Sequence, residues 1–193
     1  MPKIGMEPIR KAALVKATIA EIGRAGSLDV TVAQIARRAG MSSALAHHYF
    51  GSKEQIFLAA MRHILTLYGA EVRGALAAAQ GPKERVRAIV RASFAPGSFR
   101  REVIGAWLNF YVLAQTVPEA RRLLSVYQRR LRSNLLFALR PLVGDRAEAL
   151  AEGTGALIDG VYIRQALGEG TPDGKAAAER VMDYLERELG GTQ

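Results

Sequence analysis

The chain has 193 residues, 49% of them hydrophobic, enough for a buried core and too apolar for a disordered chain. It has no cysteine, which rules out disulfides, a thiol nucleophile and cysteine-based metal sites and fits a reducing, cytoplasmic setting. The net charge of +9 is unevenly placed: residues 1–53 hold eight Lys and Arg against three Asp and Glu, the rest 19 against 15. A basic first quarter suits a phosphate-bearing partner. The start, MPKIGMEPIRKAAL, lacks the apolar stretch of a secretory signal, and no apolar run reaches the roughly 18–20 residues of a membrane span.

Helix formers dominate, β-branched alternation is absent, and Gly, Pro, Ser and Thr divide the chain into about nine helical segments. The first runs from about Pro8 to Arg24 and stops at Ala25-Gly26-Ser27. Thr31 opens the second, with Gln34 at capping-box spacing. Val32, Ile35, Ala36 and Ala39 then form one buried stripe, and Gly40 ends the segment. A short third segment spans about Ser43 to Phe50. Ser52 with Gln55 repeats the capping pattern and starts a long helix to about Ala79, broken by Gln80-Gly81-Pro82. Further helices are expected at Lys83–Phe94 and Glu102–Gln115. Thr116 with Glu119 is read as a third capping box for a helix ending near Leu139, ahead of Pro141 and Gly144. The last two run at about 146–168 and 175–189. The fold class is all-α.

The stretch MSSALAHHYFGSK, residues 41–53, carries the densest chemistry. His47 and His48 point about 100° apart on a helix, and neither has a His or carboxylate four residues away, so metal binding is disfavoured. No acid in the stretch would orient an imidazole for nucleophilic catalysis at Ser42 or Ser43. The geometry suits something else. Two short helices joined by the tight turn Gly40-Met41-Ser42 make a helix-turn-helix, whose second helix lies in the major groove of DNA. Met41 and Leu45 are expected to pack inward, leaving Ser43, Ala44, His47 and His48 on outer faces. Small residues at the helix start let the backbone approach base edges. His47, Tyr49 and Lys53 would reach phosphates, as would the free amides of the helix that Thr31 caps.

Arg10, Leu14, Ala17, Ile22, Gly26 and Thr31, followed by QIARRAGMS and HHYFGSKEQIF, resemble the DNA-binding domain of the TetR family of repressors. The resemblance implies that Thr31 caps the second helix and Ser42 is the turn serine. Tyr49 and Lys53 then stand on contact positions, while His47 replaces the usual tyrosine and keeps a phosphate donor. MPKIGMEPIRKAAL, AQIARRAG, HHYFGSK, AWLNFY and ALIDGVYIRQAL narrow the likeness, nearly end to end, to the choline-responsive BetI group, repressors of glycine-betaine synthesis genes. It implies a helix-turn-helix domain over 1–53, a ligand-sensing and dimerisation domain over 54–193, an operator, a small-molecule effector and a homodimer. No cofactor, metal, membrane or enzymatic chemistry is implied.

In the second part, Trp107 and Tyr111 sit at i, i+4 beside Phe110, and Asp159 interrupts the apolar run GALIDGVYIRQAL one turn before Tyr162. Trp107, Tyr111, Tyr162 and Asp159 could cage a quaternary ammonium, which attracts aromatic faces and a carboxylate. Glu102 is a weaker candidate. The same residues also suit an ordinary core, with Asp159 paired to Arg164. Ala149, Gly153, Ala156 and Gly160 form a small-residue seam. With the stripe Val181, Tyr184, Leu185 and Leu189, it suits a two-fold four-helix interface or close packing within one subunit. An all-α enzyme and a basic module on anionic membranes are the rival readings.

Overall fold

The computed structural model describes residues 5–190. The first four letters of MPKIGMEPIRKAAL, and residues 191–193 of the 54–193 domain, lie outside the described residues. Among the described residues nine α-helices follow one another: α1 (Met6–Ala25), α2 (Val32–Arg38), α3 (Ser43–Phe50), α4 (Lys53–Ala78), α5 (Pro82–Ser93), α6 (Arg101–Thr116), α7 (Pro118–Val143), α8 (Ala147–Leu167) and α9 (Gly174–Gly190). A single 3-10 turn, Gly144–Arg146, precedes α8. No strand occurs among the described residues, and no helix there is long and apolar enough to cross a membrane.

Local chemistry sets most boundaries. Thr31 accepts the Gln34 amide at 3.1 Å while the Gln34 side chain takes the Thr31 amide at 2.7 Å, a complete capping box. Ser42 caps α3 through the Leu45 amide at 3.2 Å, and Ser52 accepts the Gln55 amide at 3.1 Å at the start of α4. Two expected boundaries move. Thr116 does not cap α7; it belongs to α6, and its hydroxyl donates back to the Leu113 carbonyl at 3.4 Å. Pro118 opens α7, where a missing amide costs nothing, and the Arg121 guanidinium donates to the Ala114 and Gln115 carbonyls that end α6. Nor does Pro141 stop α7, which continues to Val143; in its last turn a proline removes only one backbone bond, the one to residue 137.

The chain forms two compact units, and the division falls within α4 and α7. The first takes the described residues up to Ile64 together with Arg101–Arg121. Leu14, Ile22, Ile35, Ala46, Ile56, Leu58, Ile104 and Phe110 form its core. Its dominant contact joins α1 to α6. These helices meet through glycine: a Cβ on Gly23 would lie 2.3 Å from the Cα of Glu102, and one on Gly105 would lie 3.3 Å from the Cα of Gly23. This packing differs from the sequence division at 53/54, because it places α6 with the N-terminal helices.

The second unit contains Leu65–Arg100 and the described residues from Arg122 onward. Ile89, Val90, Leu135, Leu139, Ile158, Val181 and Leu185 fill it. Val181 and Leu185, from the stripe read above as suiting either a two-fold interface or packing within one subunit, are fully buried because α9 packs on α5 and α8 of its own chain.

Replacing Gly23 by Ala is expected to destabilise the protein by about 1–3 kcal/mol, since the new methyl meets backbone, which cannot rotate away. A urea midpoint equal to that of wild type would show that α1 and α6 do not approach this closely.

Candidate nucleic-acid interface and sensor residues

The turn between α2 and α3 is closed by backbone bonds. The Met41 amide reaches back to the Ala36 carbonyl at 2.9 Å, with Gly40 at φ +69°, a left-handed conformation that favours glycine. Of α3, only Ala46 is fully buried; Met41 and Leu45, expected inside, are half-buried. A helix with one small anchored residue leaves most of its circumference outside. Ala44, His47 and His48 are exposed, and Ser43, Tyr49 and Lys53 are half-buried.

Each polar residue of this surface has a distinct setting. The Nδ1 of His47 lies 3.1 Å from the Gly51 carbonyl. A carbonyl can only accept, so Nδ1 carries the proton and the neutral ring presents Nε2 as an acceptor. That suits the amino edge of a base; donation to a phosphate requires the imidazolium. The Tyr49 hydroxyl receives Arg10 Nη1 at 3.4 Å, and Lys11 Nζ sits 6.0 Å from the centre of its ring. Lys11 also pairs with Glu7 at 2.7 Å, and this hydrogen bond holds the Glu7 carboxyl below its ordinary range. Arg10 and Lys11 thus bring the start of α1 to the tyrosine of α3, a juxtaposition the sequence reading did not use. The Lys53 ammonium lies 5.4 Å from the Phe57 ring centre, at the first position of α4. Among the described residues no group of three His, Cys, Asp or Glu could hold a metal ion.

The reading helix is positioned by a residue that sequence reasoning passed over. Glu21 is buried on α1, and its two oxygens take Arg24 at 2.8 Å and Arg38, from α2, at 2.9 Å. The Arg24 hydrogen bond, aided by Arg38, lowers its pKa despite burial. The i, i+3 spacing to Arg24 was legible; the clasp to Arg38 needs the fold.

The expected sensor residues fall into both units. In the first, Trp107 is buried against Phe110 at 5.7 Å and meets Tyr111 edge-to-face at 5.8 Å. Glu102 is exposed, its backbone pressed against Gly23. In the second, Asp159 receives the Tyr127 hydroxyl at 3.2 Å. Tyr162 is buried, with its hydroxyl 3.0 and 3.1 Å from the Ser93 and Ser98 carbonyls and its ring packed on Phe94 and Phe99. Tyr127 and Tyr68, whose rings meet at 5.6 Å, were not anticipated, because only tertiary packing brings them together.

A capped helix-turn-helix with an outward reading helix, followed by a helical bundle with buried aromatics and an acid, defines a DNA-binding regulator with a sensor part. Residues 14–60 match the family described as bacterial regulatory proteins of the tetR family, and residues 82–190 match the BetI-type transcriptional repressor C-terminal family. The chain is 52% identical over 192 residues to the HTH-type transcriptional regulator BetI of Brucella anthropi, covering 99% of each. It is 50% identical to the regulator of the same name from Rhizobium meliloti, over 98% of this chain and 94% of that one. Among solved structures, a transcriptional regulator from Pseudomonas aeruginosa superposes with TM-score 0.80 at 24% identity, covering 95% of this chain and 92% of its own. A regulator from Saccharomonospora viridis, solved in complex with choline, gives 0.81 at 24%, covering 91% and 95%. The chain belongs to the TetR family as a BetI-type transcriptional repressor. It is a ligand-responsive DNA-binding protein and not an enzyme.

Glu21→Gln is expected to lower stability at pH 7 by about 1–3 kcal/mol by weakening charged hydrogen bonds. Because folding lowers the pKa of this carboxyl, its contribution is complete above the ordinary value of 4.5 and fades as pH falls through the lower folded value. Urea midpoints of wild type and variant should therefore converge in acid. A gap that stays constant down to pH 3 would contradict the clasp.

Proposed function

We propose that the chain represses genes for converting choline to glycine betaine, working in the cytoplasm as a homodimer whose grip on its operator changes when a small quaternary ammonium binds. The observation that carries the ligand class is Asp159, a carboxylate on the mainly apolar α8 that receives a tyrosine hydroxyl. A carboxylate attracts a quaternary ammonium, which also favours aromatic faces and has no N–H groups to satisfy. The half-identical relatives named BetI and the choline held by the S. viridis regulator support the same class.

Residues 1–53 take the DNA-binding role and 54–193 the sensing and pairing role. Ser43, Ala44 and His47 face base edges. Tyr49 and Lys53, with His48 beside them, meet phosphates, while Thr31 and Ser42 hold α2 and α3 at the angle this requires. Pairing uses the exposed side of α8. The seam Ala149, Gly153, Ala156 and Gly160 continues into Ile163 and Leu167, which are 40% and 77% exposed. Small residues let two such helices approach, and the larger ones close the end of the interface. Two reading heads fit successive major grooves only at a separation of about 34–36 Å or a matching multiple. A ligand that favours another separation, by about 1–3 kcal/mol, weakens operator binding roughly 5–150-fold.

A gel shift with the DNA upstream of this protein's own gene, with and without choline, tests the reading. Binding at moderate salt that changes at least about five-fold on adding choline is expected. Indifference to choline would remove the ligand assignment. Failure to bind that DNA would remove the proposed operator.

A further inference from the structure

Glycine at position 51 ends α3 at φ +77°, and there the chain is tied back to His47 twice. The Gly51 amide donates to the His47 carbonyl at 2.7 Å, and the Gly51 carbonyl lies 3.1 Å from the imidazole Nδ1. The first bond closes the end of the helix; the second holds the ring. Since a carbonyl can only accept, the proton of the neutral ring stays on Nδ1 and Nε2 keeps a bare lone pair. A histidine without such a tie would offer either nitrogen in either role. This one offers Nε2, as an acceptor.

The neighbours of His47 on α3 decide what that acceptor can meet. Ser43 and Ala44 stand one turn before it on the same side of the helix, and Ala44 and His47 are exposed. Their short side chains let the helix come close to a duplex, and the imidazole is the longest group on that face. Tyr49 is engaged differently: its hydroxyl receives Arg10, and Lys11 Nζ sits 6.0 Å from the centre of its ring. Those cations suit phosphate oxygens. A neutral Nε2 does not, because a phosphate oxygen also only accepts. Base edges offer what it needs. In the major groove adenine and cytosine present amino donors, whereas guanine and thymine present an oxygen in their place. A lone acceptor therefore separates amino from keto bases on the strand it faces.

We infer that His47 is a specificity-determining residue whose Nε2 accepts a hydrogen bond from the N6 amino group of an adenine or the N4 amino group of a cytosine, with the Gly51 carbonyl fixing the ring in the tautomer this requires. This rests on the reading of α3 as the groove-facing helix and sets the polarity of one contact within it. The operator carries A or C on one strand where His47 meets it. G or T at that place sets an oxygen against a lone pair and is rejected.

Selection of duplexes from a randomised pool by the full-length protein, at about pH 8 where an ordinary imidazole is neutral, tests this. Wild type is expected to enrich A or C over G or T about 3–10-fold at one position of the selected site, and His47→Ala to flatten that position alone. His47→Lys, which can only donate, should turn the preference there to G or T. In the best wild-type duplex, removing the amino group (unsubstituted purine for adenine, or the des-amino analogue for cytosine) should weaken binding by about the same 3–10-fold. Long-range nitrogen–proton spectra of isotope-labelled wild type should show a protonated Nδ1 and a bare Nε2 at His47. Enrichment of G or T at the position that depends on His47 overturns the inference. So does an equal weakening of every duplex by His47→Ala, which is what a phosphate contact gives, and so does a proton found on Nε2. If wild type enriches no sequence, the groove reading of α3 falls as well. Should a His47 variant not fold, the amino-deleted duplexes and the nitrogen spectrum, both measured with wild type, still decide.

Discussion

The close approach of α1 to α6 at Gly23 is the constraint on which the first unit depends. With no side chain at that position, α6 lies backbone against backbone on α1. Two residues earlier, on nearly the opposite face of the same helix, Glu21 holds Arg38 of α2. One helix is therefore gripped on both sides, by van der Waals contact with α6 and by a buried ion pair with α2. Since α3 follows α2 through a closed turn and anchors itself by Ala46, its direction is inherited from α1. Asn109 of α6 adds to this frame, donating to the carbonyl of Gly26 just past the end of α1. A displacement of α6 has a short route to the reading helix, through the backbone contact at Gly23 and then the Glu21–Arg38 ion pair.

Two tyrosines of α7 and α8, similar in composition and burial, do different chemistry because of where their hydroxyls go. Tyr127 directs its proton at a carboxylate and so shapes a charge; Tyr162 directs its proton at backbone carbonyls and so holds a segment. That segment ends at Ser98, three residues before α6 begins. The α8 residues 159 and 162 thus lie one turn apart, one receiving the Tyr127 hydroxyl and the other donating to the Ser93 and Ser98 carbonyls.

Much of this was legible in the residues. Capping pairs and glycines are local chemistry, so Thr31 with Gln34, Ser42, Ser52 and Gly40 marked the helix-turn-helix without knowledge of the fold. The same logic misread Thr116, where Pro118 offered the better helix start, and Pro141, which the last turn of α7 tolerates. What could not be read were choices made between distant segments. Nothing local marks Glu21 as the partner of Arg38, 17 positions away. Whether Val181 and Leu185 face a partner or their own chain was open until α5 and α8 covered them. Tyr68 and Tyr127 are 59 positions apart and share no motif. Asp159 stands out in the sequence as an acid in an apolar run, but the identity of its hydroxyl donor is a property of packing alone.

Two basic surfaces compete for the role of DNA contact: the outward face of α3 with the start of α1, and α7, which carries six arginines against one acid. Amide chemical-shift mapping of the labelled protein with its operator duplex separates them most directly. The largest changes are expected at 31–53 and at Arg10 and Lys11. Changes centred on Arg122, Arg129, Arg130 and Arg140, with 43–50 unmoved, would contradict the account.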